Sequence, residues 1–567
     1  MAAQIKYENK PWLAHYERGV PENIDYEQIT LPEYLENSAR RYPERTAIIC
    51  EGFKISYRRL DEMANRLAAS LSALGVGKEN RVAILLPNVI PCVVSYYAAL
   101  KIGAIAVMCN PQHTDRELLF QFQDSAAIVL ITMDLLADRM IALRPQTKLK
   151  QIIHTSFGDY LPLAGNLLFP LSAGRKGLTA RVQPAENVHR WKKVLSNDSG
   201  HQRHTGVSMD DVAMIQYTGG TTGVAKGVML THANLSFQAQ QIDAWFPQFA
   251  GKDEIILGAL PFFHSFGLTC SMNNAIFAGW TNILIPSPRP EKLLAAIRKY
   301  RPTFTPLVPT MYIALLNHPE IRKTSMTCIK GCFSGSAPLP LEVIRKFEGL
   351  TGAAISEGFG LTEAAPITHA NPFNGVRKVG SVGLPFPDTD CRIVDLAEGT
   401  TDVPVGQSGE LLVRGPQVMK GYWKNPQETA RALKDGWLFT GDIARMDEDG
   451  YFYIVDRKKD MVISGGHNVY PREIEEVLYA HPKIKEACAI GLPHPSHGEQ
   501  IKVFVVPAED ESVATEELIE YCQTRLADYK LPTLFEFRKD LPKSDVGKIL
   551  KKVLREEELK KQLNLEL

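Results

Sequence analysis

The stretch YTGGTTGVAKGVMLTH, residues 217–232, packs threonine and glycine residues together and places Lys226 three residues after them. Glycines let backbone N–H groups approach an anion closely, threonine hydroxyls add donors, and the lysine supplies a point charge. This pattern suits a polyphosphate, although it is no Walker A loop, because Gly227 stands where that loop has serine or threonine. On composition alone, a flexible hairpin between strand-like runs at 212–217 and 227–230 explains the stretch equally well.

Outward from this stretch, helices and strands alternate at lengths typical of βαβ units around a largely parallel sheet. Before it, helices are predicted over 31–45, 57–74 and 96–103, and strands over 46–50, 81–86, 104–109, 127–132 and 152–154. After it, strands are predicted over 283–286 and 303–308, and helices over 291–300 and 341–351. The sequence therefore predicts an α/β protein.

Three regions depart from this alternation. Residues 157–206 lack clear periodicity and are predicted to form an inserted surface loop. Short strands separated by turns over 390–456 predict a β-rich subdomain, and about 110 further residues suffice for a small α+β domain. We therefore predict a large N-terminal domain over residues 1–457 and a small mobile C-terminal domain over 458–567, with a hinge near Lys459.

Length and composition limit the class of protein. At 567 residues the chain is too long for one core. A net charge of zero without a basic stripe argues against nucleic-acid binding. Nine scattered cysteines without a CxxC pair indicate a reducing compartment, and the N-terminus lacks the apolar core of a signal peptide. The sequence thus favours a cytoplasmic protein.

Two segments bear on membrane contact. Residues 255–288 contain no Asp, Glu, Lys or Arg and exceed the roughly 20 residues of a span, but their proline and asparagine residues favour burial inside an α/β domain. Residues 157–206 are apolar beside Arg175 and Lys176, which leaves open peripheral contact with the inner face of the membrane. A mobile loop without that role is the preferred alternative. The sequence also leaves open a homodimer.

Six segments in order resemble one family, the acyl-adenylate-forming (AMP-binding) enzymes, and most closely its long-chain fatty-acid–CoA ligases. After the stretch with Lys226 they are GFGLTEAAP (358–366), TGD (440–442), DRKKD (456–460), SGGHNVYPREIE (464–475) and PKSDVGKIL (542–550). Because the six segments follow one another in the family's order from residue 217 to residue 550, the resemblance is highly specific, and it covers nearly the whole chain. It implies an enzyme that converts a fatty acid and ATP to acyl-AMP and pyrophosphate, and then acyl-AMP and coenzyme A to acyl-CoA and AMP.

The resemblance implies a site built from these segments. Its nucleotide- and CoA-binding residues would be Thr218, Gly219, Gly220, Thr221, Thr222, Gly223, Lys226, Gly335, Ser336, Ala337, Glu357, Gly358, Phe359, Gly360, Thr362, Asp442, Arg457, Lys459, Gly465 and Gly466. Its catalytic residues would be Lys548, Thr222, Glu363 and His264, with Thr222 and Glu363 as Mg²⁺ ligands. A carboxylate beside a phosphate site is unfavourable without an intervening cation, which independently favours Glu363 as a ligand.

The resemblance also assigns roles to single residues. Phe359 stands where the family usually has a tyrosine that stacks on adenine, so contacts of that hydroxyl are not expected. Asp442 can accept hydrogen bonds from both ribose hydroxyls, and Arg457 can reach the same ribose or the α-phosphate. Lys548 would bridge the carboxylate and the α-phosphate, where its charge stabilises the pentacoordinate phosphorus.

The second step, transfer of the acyl group to coenzyme A, is expected to use other residues of the same small domain. The segment with Gly465 and Gly466 has little side chain, so a slender pantetheine chain can pass over it, and the family places its thiol-transfer loop there. Because Lys548 and Gly465 would serve different steps, the small domain is predicted to rotate about the hinge at Lys459.

The acid is predicted to have an apolar tail. Relatives that activate amino acids carry an aspartate close to the motif of His264, and none stands there in this chain. Apolar residues over 262–277 and 304–312 can line a tunnel, in which each buried methylene adds about 0.8 kcal/mol. His264 would lie near the carboxylate and gate access, and Leu268 holds the position of a gating tryptophan in some long-chain enzymes. Alternatives are a medium-chain or aromatic (4-coumarate-type) acid–CoA ligase, or a non-catalytic nucleotide-binding regulator.

Overall fold

The structure is a computed structural model that describes residues 6–161, 178–196, 206–218, 225–464, 467–494, 498–508, 511–544 and 547–565. Two β-sheets lie in its N-terminal part, and in each of them the central strands pair in parallel. One has the strand order Leu384–Pro385, Ile367–Ala370, Ile355–Gly360, Gly331–Ser334, Phe304–Leu307, Ile255–Gly258, Thr281–Leu284, Thr46–Cys50 and Phe53–Ser56. The other has the order Gly421–Tyr422, Lys226–Thr231, Val212–Thr218, Ile105–Met108, Arg81–Leu85, Val129–Met133, Gln151–Thr155 and Val188–Arg190. The α/β prediction is confirmed.

Helices connect the parallel strands and join the two sheets into one core. A contiguous hydrophobic cluster includes Ile48 of the first sheet, Ile84 of the second, and Leu60 and Tyr97 of the helices between them. The α-helices are Leu31–Arg41, Tyr57–Ala73, Ile90–Lys101, Asp115–Ser125, Asp134–Leu143, Trp191–Leu195, His232–Trp245, Ser265–Gly267, Asn274–Ala278, Pro290–Tyr300, Pro309–Asn317, Leu341–Thr351, Pro426–Ala432, Pro471–Tyr479, Thr515–Gln523 and Lys551–Leu565. Single 3₁₀ turns occur at Tyr7–Asn9, Pro11–His15, Arg144–Gln146, Phe157–Tyr160, Pro319–Lys323, Thr362–Ala364 and Asp528–Lys530, and Leu268–Asn273 is a π-helix.

The predicted inserted loop is wrong for part of its length. Residues Val188–Arg190 form a strand that extends the second sheet in parallel beside Gln151–Thr155, and Trp191–Leu195 forms a helix. Trp191 is fully buried, and its Nε1 donates a hydrogen bond to the Tyr160 hydroxyl at 2.6 Å. A strand of three residues is too short to produce a readable alternation, which is why the sequence did not reveal it. Arg175 and Lys176 lie outside the described residues.

Residues 255–288 are buried within the domain, as the sequence predicts. They contain the strands Ile255–Gly258 and Thr281–Leu284 of the first sheet and, between them, short helices with the π-helix Leu268–Asn273. All six residues of the π-helix are buried. Within the described ranges, none of the helices combines the length and the apolarity needed to cross a bilayer.

A third sheet confirms the predicted β-rich subdomain. Its strands follow the order Asp390–Val394, Gly409–Arg414, Trp437–Met446 and Leu433–Lys434, and Phe452–Arg457 also pairs with Trp437–Met446.

The C-terminal part contains a fourth sheet. Its strands follow the order His467–Val469, Val462–Ser464, Gly498–Pro507 and Ile484–His494, and Leu534–Phe537 pairs with Gly498–Pro507. One hydrophobic cluster packs helices Pro471–Tyr479 and Thr515–Gln523 on this sheet, and another includes Leu554 of the helix Lys551–Leu565. The chain therefore passes between the third and fourth sheets at residues 458–461, where Lys459 lies. The hinge there stays a prediction.

Candidate active site

Several candidate residues lie at the carboxyl ends of neighbouring parallel strands, where α/β sheets place their ligands. Gly335, Ser336 and Ala337 directly follow the strand Gly331–Ser334. Ser336 has a positive φ of 72°, so the chain turns sharply there. The next strand, Ile355–Gly360, contains Glu357, Gly358, Phe359 and Gly360, and Thr362 follows in the 3₁₀ turn Thr362–Ala364. The sheet thus brings two sequence segments to one edge.

The Gly/Thr stretch, a candidate phosphate loop, stands in the sequence between two strands that pair antiparallel with each other. Thr218 ends the strand Val212–Thr218, Lys226 begins the strand Lys226–Thr231, and these two residues are register partners. The predicted flanking strands are therefore confirmed. The residues between them that the sequence predicts as phosphate ligands lie outside the described residues; they are Gly219, Gly220, Thr221, Thr222 and Gly223.

Lys226 contacts two residues that the sequence did not reveal as part of the site. Its Nζ donates a hydrogen bond to the carboxylate of Glu428 and lies 5.0 Å from the centre of the Tyr422 ring. The hydrogen bond from Lys226 is the main cause that lowers the pKa of Glu428. The strand Gly421–Tyr422 brings this segment to Lys226 by pairing antiparallel with Lys226–Thr231. A pairing of two residues leaves no readable pattern in a sequence.

Glu363 is held in place on two sides. Its Oε1 accepts a hydrogen bond from the Tyr422 hydroxyl at 2.9 Å, and its backbone carbonyl accepts one from the Met419 N–H at 2.8 Å. Burial raises the pKa of Glu363, which means that its ionised form lacks the solvation it has in water. Tyr422 thus lies between the predicted metal ligand and the predicted phosphate-binding lysine.

The donor set around Glu363 fits Mg²⁺ bound together with a nucleotide. Mg²⁺ is usually held by one or two carboxylates and completes its octahedron with substrate phosphates and water. A cation also relieves the cost of a poorly solvated carboxylate. Among the residues that the structure describes, no group of three or more His, Cys, Asp or Glu side chains forms a cage of its own. Glu363 is therefore suited to a metal that arrives with phosphate ligands.

Close backbone packing explains the glycines around Phe359. A Cβ on Gly360 would lie 1.8 Å from the Pro366 carbonyl oxygen, and a Cβ on Gly358 would lie 2.4 Å from the Phe333 ring. Both positions therefore exclude any side chain. The Phe359 ring lies 6.0 Å from the ring of His369.

Two titratable groups lie close to Phe359, one buried and one half-buried. Burial lowers the pKa of His369 to about 3, so this imidazole is neutral. Burial also raises the pKa of Glu357 to about 7, although its carboxylate accepts a hydrogen bond from the Leu339 N–H at 3.1 Å. The surroundings of Phe359 thus disfavour charge.

Asp442 and Arg457 face each other across a strand pair. They are register partners in the antiparallel pairing of Trp437–Met446 with Phe452–Arg457, and Arg457 Nε lies 3.4 Å from Asp442 Oδ1. Burial raises the pKa of Asp442, and Arg457 is the first of the charges that oppose this rise. Burial and the charge of Arg457 lower the pKa of Lys459. Two motifs that are separate in sequence thus form one charged cluster.

Lys548 extends from the C-terminal part into this cluster. Burial, followed by the charge of Arg457, lowers its pKa to about 7, while Asp442 and Asp460 act in the opposite direction. Burial, followed by the charge of Lys548, lowers the pKa of His264 to about 4, so this imidazole is neutral. His264 Nδ1 accepts a hydrogen bond from the Phe266 N–H at 3.2 Å. The structure therefore brings Lys548, His264, Asp442 and Arg457 together.

The predicted thiol-transfer loop is described only at its flanks. Ser464 and His467 are register partners in the antiparallel strands Val462–Ser464 and His467–Val469. Gly465 and Gly466, which form the connection itself, lie outside the described residues. Their role in binding coenzyme A stays a prediction.

Comparison with known proteins agrees with the resemblance found in the sequence. The chain matches the family model described as AMP-binding enzyme over residues 35–423, and the model described as AMP-binding enzyme C-terminal domain over residues 473–548. It is similar to a long-chain-fatty-acid–CoA ligase of Bacillus subtilis, with 45% identity over 97% of this chain and 98% of that protein. A protein of the same name from Yersinia pestis is 40% identical over 97% of this chain and 98% of its own length.

A solved structure agrees with both the fold and the family. The crystal structure of ATP-bound MatB from Rhodopseudomonas palustris superposes with a TM-score of 0.80 at 31% identity, over 94% of this chain and 99% of that one. Together, the matches to the two family models and the near full-length relatives cover both the N-terminal and the C-terminal part. The chain therefore belongs to the AMP-binding enzyme family.

Proposed function

We propose that the chain is an ATP-dependent long-chain fatty-acid–CoA ligase that works through an acyl-AMP intermediate. The proximity of Lys548 to the Asp442–Arg457 pair and to His264, which is reflected in the shifted pKa values of Lys548 and His264, supports this proposal. His264 lies in the range that matches the first family model, and Lys548 lies in the range that matches the second. The two relatives described above are both named for long-chain acids and are similar over almost the entire chain. ATP, the fatty acid and coenzyme A are its substrates.

In the first step, a carboxylate oxygen of the fatty acid attacks the α-phosphorus of ATP. The bond between that phosphorus and the bridging oxygen breaks, and pyrophosphate leaves with the bond's electron pair. Lys548 donates hydrogen bonds to the attacking carboxylate and to the α-phosphate, which brings the two anions together and stabilises charge on the phosphorus. Asp442 accepts hydrogen bonds from the ribose hydroxyls, and Arg457 holds the ribose or the α-phosphate.

Lys226 and the loop from Thr218 to Gly223 hold the β- and γ-phosphates. Lys226 donates hydrogen bonds to the leaving pyrophosphate, and the backbone N–H groups of the loop surround it. Glu363 and Thr222 would hold Mg²⁺, which when bound neutralises part of the charge on the phosphates. The Tyr422 hydroxyl keeps the Glu363 carboxylate oriented.

His264 acts through its position. With a pKa of about 4 it stays neutral at physiological pH, so it adds no positive charge to the site. A neutral imidazole beside the substrate carboxylate avoids a competing cation next to Lys548. We assign it the role of packing against the carboxylate and limiting access to it.

In the second step, the sulfur of coenzyme A attacks the carbonyl carbon of acyl-AMP. A C–S bond forms, the bond between that carbon and the phosphate oxygen breaks, AMP leaves with the bond's electron pair, and the thiol proton passes to the solvent. The connection that contains Gly465 and Gly466 would form the passage for the pantetheine chain. Rotation of the C-terminal part about Lys459 would exchange this connection for Lys548 at the site.

Medium-chain and aromatic acids remain alternative substrates of the same chemistry. Peripheral membrane contact through Arg175 and Lys176, and a homodimer, are separate parts of the proposal. Sedimentation with anionic vesicles measures the first of these, and light scattering measures the second.

The replacement Lys548→Ala tests the assignment of the two steps. We expect acyl-AMP formation from ATP and a fatty acid to fall by about 100-fold or more, because a preorganised charge at the phosphorus is lost. Conversion of supplied acyl-AMP and coenzyme A to acyl-CoA should persist. Both rates are measured by chromatography of the acyl products, and equal loss of both would refute the assignment.

A further inference from the structure

The turn that carries Lys548 is closed by its own hydrogen bonds. The Ser544 N–H donates to the Lys548 carbonyl at 2.8 Å, and the Gly547 N–H donates to the Ser544 carbonyl at 2.8 Å. The Lys548 N–H donates to Ser544 Oγ at 3.2 Å. Because these bonds tie Ser544, Gly547 and Lys548 to one another, the position of Lys548 follows from the place where Gly547 is seated.

The turn is seated directly on Thr310, at the start of helix Pro309–Asn317. A Cβ on Gly547 would lie 2.6 Å from Thr310 Oγ1 and 2.7 Å from Thr310 Cγ2, well inside the 3.4–4 Å of ordinary contact. Gly547 also has a φ of +74°, in the left-handed region that favours glycine. The backbone of the turn therefore approaches the threonine more closely than any side chain would permit.

Thr310 belongs to the part of the molecule that carries the other half of the site. Its helix follows the strand Phe304–Leu307, which pairs in parallel with the strand Gly331–Ser334 that precedes Gly335. The contact between Gly547 and Thr310 thus joins the turn of Lys548 to the sheet edge of the site.

We propose that Gly547 and Thr310 form a steric seat that sets how deeply Lys548 enters the site during acyl-AMP formation. This inference rests on the proposed function. A methyl group on residue 547 has to move the turn outward by roughly 1 Å to restore ordinary contact, and a misplacement of that size costs about 100-fold in rate. Gly547 and Thr310 are positioning residues, because they act through Lys548. The CoA step does not use Lys548, so the seat is not needed there.

The replacement Gly547→Ala is the first test. We expect acyl-AMP formation to fall by about 100-fold, while conversion of supplied acyl-AMP and coenzyme A to acyl-CoA stays within about twofold of the wild type. Equal loss of both half-reactions, or no loss of the first, would overturn the proposal.

Replacements at Thr310 distinguish two effects of Gly547→Ala: the steric clash of the new methyl group with Thr310, and backbone strain at residue 547. Thr310→Ala removes Oγ1 and Cγ2, so Gly547→Ala/Thr310→Ala should regain at least tenfold of the lost acyl-AMP formation. Thr310→Val keeps the branched shape and removes only the hydroxyl, so Gly547→Ala/Thr310→Val should regain nothing. Rescue by both replacements, or by neither, contradicts a steric seat.

A bulkier residue at position 310 makes the same collision without strain at residue 547. Thr310 is exposed on the first turn of its helix, so Thr310→Phe tests the seat even where Gly547→Ala does not fold. It should slow acyl-AMP formation selectively, and unchanged acyl-AMP formation would contradict the proposal. A wild-type protein that forms no acyl-AMP from any fatty acid would instead refute the proposed function. This result is distinct from an active wild type whose Thr310→Phe variant forms acyl-AMP at the same rate, which refutes only the steric seat.

Discussion

Lys548 lies in a cluster of two positive and two negative side chains, which are Arg457, Lys459, Asp442 and Asp460. Burial and Arg457 disfavour its ammonium form, while Asp442 and Asp460 favour it, and its pKa is lowered to about 7. A polyphosphate and a carboxylate would add several negative charges next to this amine. An opposite charge within a few ångströms favours the charged form, so substrate binding should raise its pKa again. The lysine would thus become fully charged when the anions that need it arrive.

This shift predicts proton uptake on nucleotide binding. At pH 8 the Lys548 amine is mostly neutral before binding and protonated afterwards, so uptake should approach one proton there. At pH 6 the amine is already protonated, so its contribution to uptake should be close to zero. Calorimetric titration of ATP in buffers of different ionisation enthalpy measures this number.

Lys548→Ala is the matched control, because the nucleotide's own phosphates titrate in both proteins. The difference between wild type and variant should therefore appear at pH 8 and vanish at pH 6. An identical number of protons for both proteins at pH 8 would show that Lys548 does not change its protonation on binding.

At the residue scale, the family motifs named Lys548, Asp442 and Arg457, and their roles stay predictions. In the structure, Arg457 lies 3.4 Å from Asp442, and the charges of both act on Lys548. Tyr422 and Glu428 were missed although they contact Glu363 and Lys226. Their contacts arise from strand pairing between distant segments, and such pairing is invisible to local sequence patterns.

At the scale of elements, burial decided what the sequence could predict. The helix Leu341–Thr351 has one buried face and was predicted with its observed bounds. The helix Ile90–Lys101 begins six residues before the predicted start, because all twelve of its residues are buried and it has no polar face to mark its period. The strand Val188–Arg190 was missed because three residues carry no period at all.

The helix Pro426–Ala432 places Glu428 against Lys226, which predicts an effect on ATP binding. A polyphosphate has to share Lys226 with this carboxylate and is repelled by its charge. Glu428→Gln keeps the size and removes the charge, so the KM for ATP should fall about two- to fivefold, the range expected for a partly exposed ion pair. Exchange of labelled pyrophosphate into ATP measures this KM.

Arg431→Gln provides the control for Glu428→Gln. Arg431 also pairs with Glu428, but it is largely exposed, and its replacement should leave the KM for ATP unchanged. A higher KM in Glu428→Gln would mean that the carboxylate positions Lys226 for the phosphates and does not compete with them.

At the scale of the molecule, the chain consists of a large part that contains His264, Glu363 and Asp442 and a small part that contains Lys548. The order of α/β, β-rich and α+β regions was predictable, because periodicity changes from one region to the next. Residues 458–461 connect the third and fourth sheets, which agrees with the position proposed for the hinge. The seating of one part on the other was not predictable, since it depends on contacts such as that between Gly547 and Thr310.

The central claim is that the two parts together join long-chain fatty acids to coenzyme A through acyl-AMP. Mass spectrometry of the products from a mixture of C8 to C18 fatty acids and 4-coumarate, with ATP, Mg²⁺ and coenzyme A, tests it most directly. We predict that long-chain acyl-CoA species dominate and that one AMP forms for each, with no ADP. A dominant 4-coumaroyl-CoA or medium-chain product, or the absence of any acyl-CoA, would contradict the claim.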